Sequence, residues 1–428
     1  MKHLAASILL LATLSASAQT RSAKNSPSLT EAKPESVGMS AERLARIDQM
    51  LEAAISEDDI PGAVALVARK GKIVYWKAFG SADVETGRKF KRDDIFRIAS
   101  QTKAITSTAV MTLWERGLFR LDDPISKWIP EFKNPQVLKD FHYGDTTYTT
   151  VPASREVTVR DLITHSSGVG YGVIDGDERF RMIYEKAGIT DLYTTEDITI
   201  EESVRKLAAL PLHHNPGEKF TYSEGLDVLG YFIEVVSGQP FDAYLRDHVL
   251  GPLGMDDTWF YLPDDKASRL VPVQHLSDDG TWTRFPVTFY DPEYPRKGAK
   301  RFFSGGAGLS STAKDYATFL QMYLNNGELG GTRVLSRTTV QPIMDAQVHD
   351  FRIGEDYGLA FGLIDEVGAA QGGQGSDGTF EWGGYFNTQY FADPDEQLIG
   401  ILMKQTQGTR SDDTGWQFRV LALAAVDD

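Results

Sequence analysis

A chain of 428 residues with 41% hydrophobic and 24% charged residues can bury a large core, which excludes a disordered chain and suggests two or three domains by length alone. Its formal net charge of −16 argues against nucleic acid or an anionic membrane surface as a partner. With no cysteine, the chain has no thiolate metal site, no disulfide and no lipid-modified N-terminal cysteine.

In chain order, Lys2 and His3 precede an apolar run at 4–14, and Ser15-Ala16-Ser17-Ala18 offers small residues for cleavage. This is the build of a secretory signal peptide over residues 1–18, cut after Ala18, which implies a periplasmic or secreted protein. The run is shorter than the roughly 20 apolar residues a membrane helix needs, so no membrane span is expected in the mature chain. Residues 19–38 are polar, carry two prolines and read as a linker. Ser40 then caps an amphipathic helix that ends before Ile60-Pro61-Gly62. Two strand-like runs at 63–69 and 72–79, joined by Lys70-Gly71, predict a hairpin, and 81–90 a further small turn.

Ile95 to Lys103 runs from a short apolar segment into a helix that continues as a largely apolar stretch to about Glu115-Arg116-Gly117. Its chemistry rests on Ser100 and Lys103. A serine hydroxyl needs a nearby base, and a lysine three residues later on a helix lies on the same face. At the first turn of that helix, free N–H groups and the positive dipole end favour developing negative charge. The same Ser-x-x-Lys spacing recurs at Ser203/Lys206 and Ser311/Lys314. Ser203 opens an amphipathic stretch whose lysine points to water, and Ser311 belongs to a helix-capping region, so Ser100 is the candidate nucleophile.

The Pro-punctuated middle section, to about residue 300, reads as helical with long aromatic loops that hold Phe141, Tyr171, Tyr193, Trp259, Phe289, Tyr290 and Tyr294, a subset of which would wall an apolar cleft. Beyond Phe303 come a glycine-rich bend at 304–309, a helix at 315–324, and strand candidates at 357–365, 378–382, 388–392 and 397–404. A helix at 416–425 closes the chain. Strands from both chain ends then predict one shared sheet. The domain division that follows is an α/β sheet domain from 39–115 and 301–428, with a helical domain carrying the substrate-cleft loops at 116–300.

Five segments in this order resemble the serine β-lactamase and penicillin-binding-protein-like hydrolases, in particular class C β-lactamases and family VIII carboxylesterases. They are Phe96-Arg97-Ile98-Ala99-Ser100-Gln101-Thr102-Lys103, Arg160-Asp161-Leu162-Ile163-Thr164-His165-Ser166-Ser167-Gly168, Pro216-Gly217-Glu218-Lys219-Phe220-Thr221-Tyr222-Ser223, Gly305-Gly306-Ala307-Gly308-Leu309-Ser310-Ser311-Thr312 and Trp382-Gly383-Gly384. The resemblance implies an α+β fold, an antiparallel sheet flanked by helices with a mostly helical second domain, and a site in the cleft between them. It implies Ser100 as nucleophile, Lys103 and Tyr222 as its catalytic partners, and an oxyanion hole from the backbone N–H groups of Ser100 and Tyr385. Glu224, Trp382, Gly383 and Gly384 would meet the substrate. No cofactor or metal is implied.

Two departures steer the expected activity. Tyr222-Ser223-Glu224 replaces the Tyr-x-Asn of penicillin-recognising members, and an ionised glutamate cannot donate the hydrogen bond that an amide does. Literal Tyr-x-Asn at Tyr323-Leu324-Asn325 and Tyr385-Phe386-Asn387 is coincidental. Trp382 replaces the lysine that helps hold a lactam's carboxylate. The expectation is therefore hydrolysis of short-acyl carboxylic esters, small molecules, through an acyl-serine. The alternatives are a D-amino-acid peptidase or amidase of cell-wall fragments, a weak β-lactamase, or a penicillin-binding-like receptor that is acylated without turnover. No Gly-x-Ser-x-Gly elbow is present. His165 reads as structural, and His213-His214, lacking a third spaced ligand, as polar surface on an exposed loop.

Overall fold

The strand Gly62–Arg69 is buried along its whole length, and the reason is its run of small and branched apolar residues. Alternate residues serve two cores. Ala63, Ala65 and Val67 pack with Leu44, Ile47 and Leu51 of the helix Ala41–Ser56 and with Phe418 and Ala422 of the helix Thr414–Ala424. Val64, Leu66 and Ala68 face the opposite way, into the larger core that holds the helices Thr102–Glu115 and Ala313–Leu324. A sheet with helices on both faces follows from this period-two division.

The structure, a computed structural model, describes residues 20–408 and 412–428; the signal peptide expected at 1–18 lies outside them. Across the main sheet the strands run Val348–Arg352, Glu355–Tyr357, Gly362–Ile364, Phe380–Gly384, Thr388–Asp393, Leu398–Met403, Gly62–Arg69, Lys72–Asp83 and Thr30–Glu31. Every pairing along it is antiparallel except that of Thr30–Glu31 with Lys72–Asp83. The two chain ends meet where Met403 pairs with Val64 and Leu398 with Arg69. This is the α+β fold expected.

Several local expectations hold: Ser40 Oγ accepts from the Arg43 N–H at the start of Ala41–Ser56, and the 62–83 hairpin turns at Lys70-Gly71. Others differ. Within 19–38, Thr30–Glu31 joins the sheet edge and Pro34–Val37 forms a 3-10 turn. The middle section carries a mostly solvent-facing hairpin, Gln136–His142 with Thr147–Pro152, beside its helices. The strand expected at 357–365 is two strands, because Ala360 takes a left-handed φ of 69° between them. Among the described residues no helix is long and apolar enough to cross a membrane.

Candidate active site

Ser100 occupies the 3-10 turn Ala99–Gln101 that feeds the helix Thr102–Glu115. The approach is fixed on both sides. Phe96–Arg97 pairs with Ser310–Ser311, and the Arg97 N–H donates to Gln405 Oε1 at 2.8 Å. The fully buried Arg97 guanidinium donates to the carbonyls of Pro292 and Val271, both at 2.6 Å. The chain then bends through Ala99 at φ 44°, a left-handed conformation that costs an alanine roughly 1 kcal/mol. That strain sits immediately before the nucleophile candidate.

Lys103, 1% exposed, lies one turn along. Its Nζ donates to Tyr171 OH at 2.9 Å, to the Gly306 carbonyl at 2.8 Å and to Ser100 Oγ at 3.4 Å. An ammonium has three N–H groups, and all three are used. Tyr222 OH donates to Ser100 Oγ at 2.7 Å, and Lys103 Nζ stands 4.6 Å from the centre of the Tyr222 ring. The three residues singled out by sequence therefore converge.

Their surroundings hold them in place. Thr221 N–H donates to the His165 carbonyl, and Ser223 N–H donates to His165 Nδ1 at 3.1 Å, so the ring proton belongs on Nε2. Burial, and then the charge of Lys103, push the imidazole well below its usual titration range. His165 thus brackets the Tyr222 segment as a neutral group, with its ring 4.6 Å from that of Tyr222. On the other side, Asp227 Oδ1 accepts from Ser304 Oγ at 2.5 Å and from the Gly306 N–H at 3.3 Å. A Cβ at Gly306 would come 2.4 Å from Asp227 Oδ2, so only glycine lets this bend pass between Asp227 and Lys103.

The strand Phe380–Gly384 ends against the Ser100 turn. At Gly384 a Cβ would lie 2.5 Å from the Ile98 carbonyl oxygen, and glycine there brings the strand end, with the amide of Tyr385, up to the nucleophile segment. Gln407 Nε2 donates to the Tyr385 carbonyl, and Gly383 is exposed. Trp382 stacks beside Tyr222 with centroids 5.8 Å apart, Phe351 lies 6.1 Å beyond it, and the Arg352 guanidinium covers its ring. Tyr193, Tyr290 and Phe386 pack together around the turn from another side.

Glu224 is placed differently from the other expected substrate-contacting residues. It is 2% exposed and accepts from the Gly172 N–H; burial, with Asp191 and Asp227 nearby, pushes it well above the usual carboxylate range. It stands as the residue before the helix Gly225–Ser237 with its side chain turned into the protein. Ser203 Oγ is tied to the Thr190 carbonyl at 2.5 Å, and Ser311 Oγ to Thr258 Oγ1 at 2.7 Å. Neither sits near a cleft lysine. His213 and His214 are packed, not exposed: His213 stacks on Phe180 and bonds Asp175 at 3.0 Å, and His214 bonds Thr221 at 2.9 Å. Asn387 Nδ2 donates to Asp412 and Thr406. Sequence reasoning had no means to single out Tyr171 or Asp227, since neither is at a fixed offset from Ser100.

The family model for Beta-lactamase matches residues 47–424. The chain is 32% identical over 380 residues to Esterase EstB of Burkholderia gladioli, covering 85% of this chain and 90% of that one. It is 30% identical over 382 residues to Lovastatin esterase of Penicillium rubens, covering 83% and 91%. Among solved structures, EstCE1, a hydrolase with promiscuous acyltransferase activity, superposes with a TM-score of 0.77 at 27% identity over 89% of this chain and 98% of that one. With its Ser100, Lys103 and Tyr222 gathered at one turn and this match across most of its length, the chain belongs to the beta-lactamase family and is a serine hydrolase.

Proposed function

We propose that the protein hydrolyses short-acyl carboxylic esters through a covalent acyl-Ser100 intermediate. The observation that carries this is the Tyr222 hydroxyl 2.7 Å from Ser100 Oγ, with the Lys103 ammonium 4.6 Å from the same ring. Lys103 spends all three hydrogens on acceptors, so the serine proton goes to Tyr222, which takes it as the phenolate, the 2.7 Å hydrogen bond then running from Ser100 O–H to the Tyr222 oxygen. As Ser100 Oγ attacks the ester carbonyl, the amides of Ser100 and Tyr385 would take the developing oxyanion, and Tyr222 would return its proton to the leaving alcohol. Water then attacks the acyl-serine by the same route in reverse.

Ester over lactam rests on Trp382. Its indole, tilted beside Tyr222, offers an apolar face and one N–H in place of a lysine, and the Arg352 guanidinium that covers the ring is paired with Glu355. The esterase relatives support the same choice. Residues 1–18 would direct export and be removed, a proposal that N-terminal sequencing of the native protein checks. The test of function is p-nitrophenyl butyrate hydrolysis by the mature chain beside Ser100→Ala, with Ser203→Ala and Ser311→Ala as controls. Loss on the order of 10³-fold or more in Ser100→Ala alone is expected. A wild type inactive on esters, or turning over nitrocefin as readily as butyrate, overturns the reading. Intact mass after ester exposure separates an enzyme from an acylated receptor.

A further inference from the structure

A cavity of about 490 Å³ opens beside Gly172, the residue after the Tyr171 that holds Lys103. Its other boundary is Phe289, whose neighbour Tyr290 packs toward Tyr385 and Phe386. The cavity therefore lies between the two loops that flank the nucleophile turn. Apolar surface from Val173, Met182 and Ile189 makes up one part of its wall.

Its charged lining is unbalanced. Glu178, Glu185 and Asp191 contribute three carboxylates, against the single guanidinium of Arg181, and no lysine lines it. Arg181 already donates to the Asp175 carbonyl, outside the cavity lining. Asp191 Oδ2 accepts from the Gly172 N–H at 3.1 Å. Behind the same amide stands Glu224, whose Oε1 is buried without a hydrogen-bond partner among the described residues. Asp191 thus meets the Gly172 amide at the cavity wall, and the Glu224 carboxyl is buried behind that wall, outside the lining. Burial and the nearby Asp227 push Asp191 up to about 6.

We infer that this cavity is a subsite for an alkylammonium group, so that the preferred esters carry a cationic amine on their acyl chain. Carboxylates supply the charge, and Phe289 and Tyr184 bring aromatic side chains, which cations favour, into the lining. An apolar wall beside them accepts the methylenes that join the amine to the ester. The inference rests on the esterase reading and names its substrate class.

The experiment compares two isosteric p-nitrophenyl esters, 4-(trimethylammonio)butanoate and 5,5-dimethylhexanoate, each rate divided by that of its uncatalysed hydrolysis, at low and high salt. We expect kcat/KM to favour the cationic ester by about fivefold or more at low salt. Glu178→Gln, Glu185→Gln and Asp191→Asn should lower that ratio, through KM. Because the readout is the ratio within each variant, a general loss of activity cancels. A ratio of one or below in the wild type, or one that none of the three variants changes, overturns the inference. In parallel, Ser100→Ala is titrated with the anilides of the same two acids. Tighter binding of the cationic anilide supports the subsite even if no ester is turned over, and equal binding overturns it.

Discussion

Tyr171 OH lies 2.9 Å from Lys103 Nζ, deep in the protein and within one ring contact of Tyr222. Burial, then the charge of Tyr222, Asp227 and Glu224, hold Tyr171 well above the usual phenol range, so it meets the ammonium as a neutral acceptor. It is one of three acceptors that aim Lys103. Tyr171→Phe leaves one buried ammonium hydrogen unpaired, a cost of about 1–3 kcal/mol. If that cost falls on the catalytic geometry, kcat drops by roughly 5- to 100-fold with KM little changed. Steady-state kinetics on p-nitrophenyl butyrate check it, and an unchanged kcat would show that Gly306 and Ser100 suffice to hold the lysine.

Gly306 tests the opposite side of the same ammonium. Its carbonyl accepts from Lys103 at 2.8 Å, and an added Cβ would stand 2.4 Å from Asp227 Oδ2. Gly306→Ala must therefore move the bend, Asp227 or both. Overpacking of this kind costs about 1–3 kcal/mol of stability. Because the displaced carbonyl is a Lys103 acceptor, the expected loss of kcat exceeds tenfold, larger than in Tyr171→Phe. A variant that loses stability but keeps kcat would separate the bend from catalysis.

Ser100 stood out as the candidate nucleophile because it lies between two apolar segments, and the structure buries those segments on nearly every side. Tyr222 and the Trp382-Gly383-Gly384 strand end came from ordered motifs. Tyr171 was visible only as one aromatic among many, since a residue 68 positions from Lys103 in sequence has no local signature. Glu224 matched its motif in place, but backbone pattern does not say where a long side chain turns, and its carboxyl points to Gly172. The hairpin 136–152 has no signature in the sequence because its strands are mostly solvent-facing and carry no apolar alternation. The two adjacent histidines mislead for a related reason: stacking on Phe180 is a tertiary contact.

Arg97 ties the nucleophile segment to the loop that carries Tyr290 and Tyr294. It is wholly buried and donates to the Pro292 and Val271 carbonyls and to Glu293 Oε1. Arg97→Met keeps much of the volume but strands two carbonyls, each costing about 1–3 kcal/mol when left unpaired. The expected destabilisation is several kcal/mol, and Arg97→Lys should rescue it only in part, since one ammonium cannot reproduce the planar fork. Chemical denaturation measures both. Equal stability of Arg97→Met and wild type would show that the burial of this charge already costs as much as its hydrogen bonds return.

Asp315 gives a pH-dependent prediction away from the cleft. It lies near the start of the helix Ala313–Leu324, where Oδ2 accepts from the Asp257 N–H and from Thr258 Oγ1, both at 2.9 Å. Burial outweighs these bonds and pushes the carboxyl up to about 6. A folded-state value above the unfolded one means that the protonated acid favours the fold. Its contribution is complete below the unfolded value of about 4, and is lost as pH rises through about 6. Above that, the fold carries a buried anion at a cost of roughly 3 kcal/mol. Asp315→Asn keeps an oxygen to accept both hydrogen bonds and cannot ionise. The variant should therefore gain stability over wild type at pH 7.5 and show little difference at pH 4. Paired denaturation curves at the two pH values decide it. A variant less stable at pH 7.5 would mean that the carboxylate's two hydrogen bonds outweigh its desolvation.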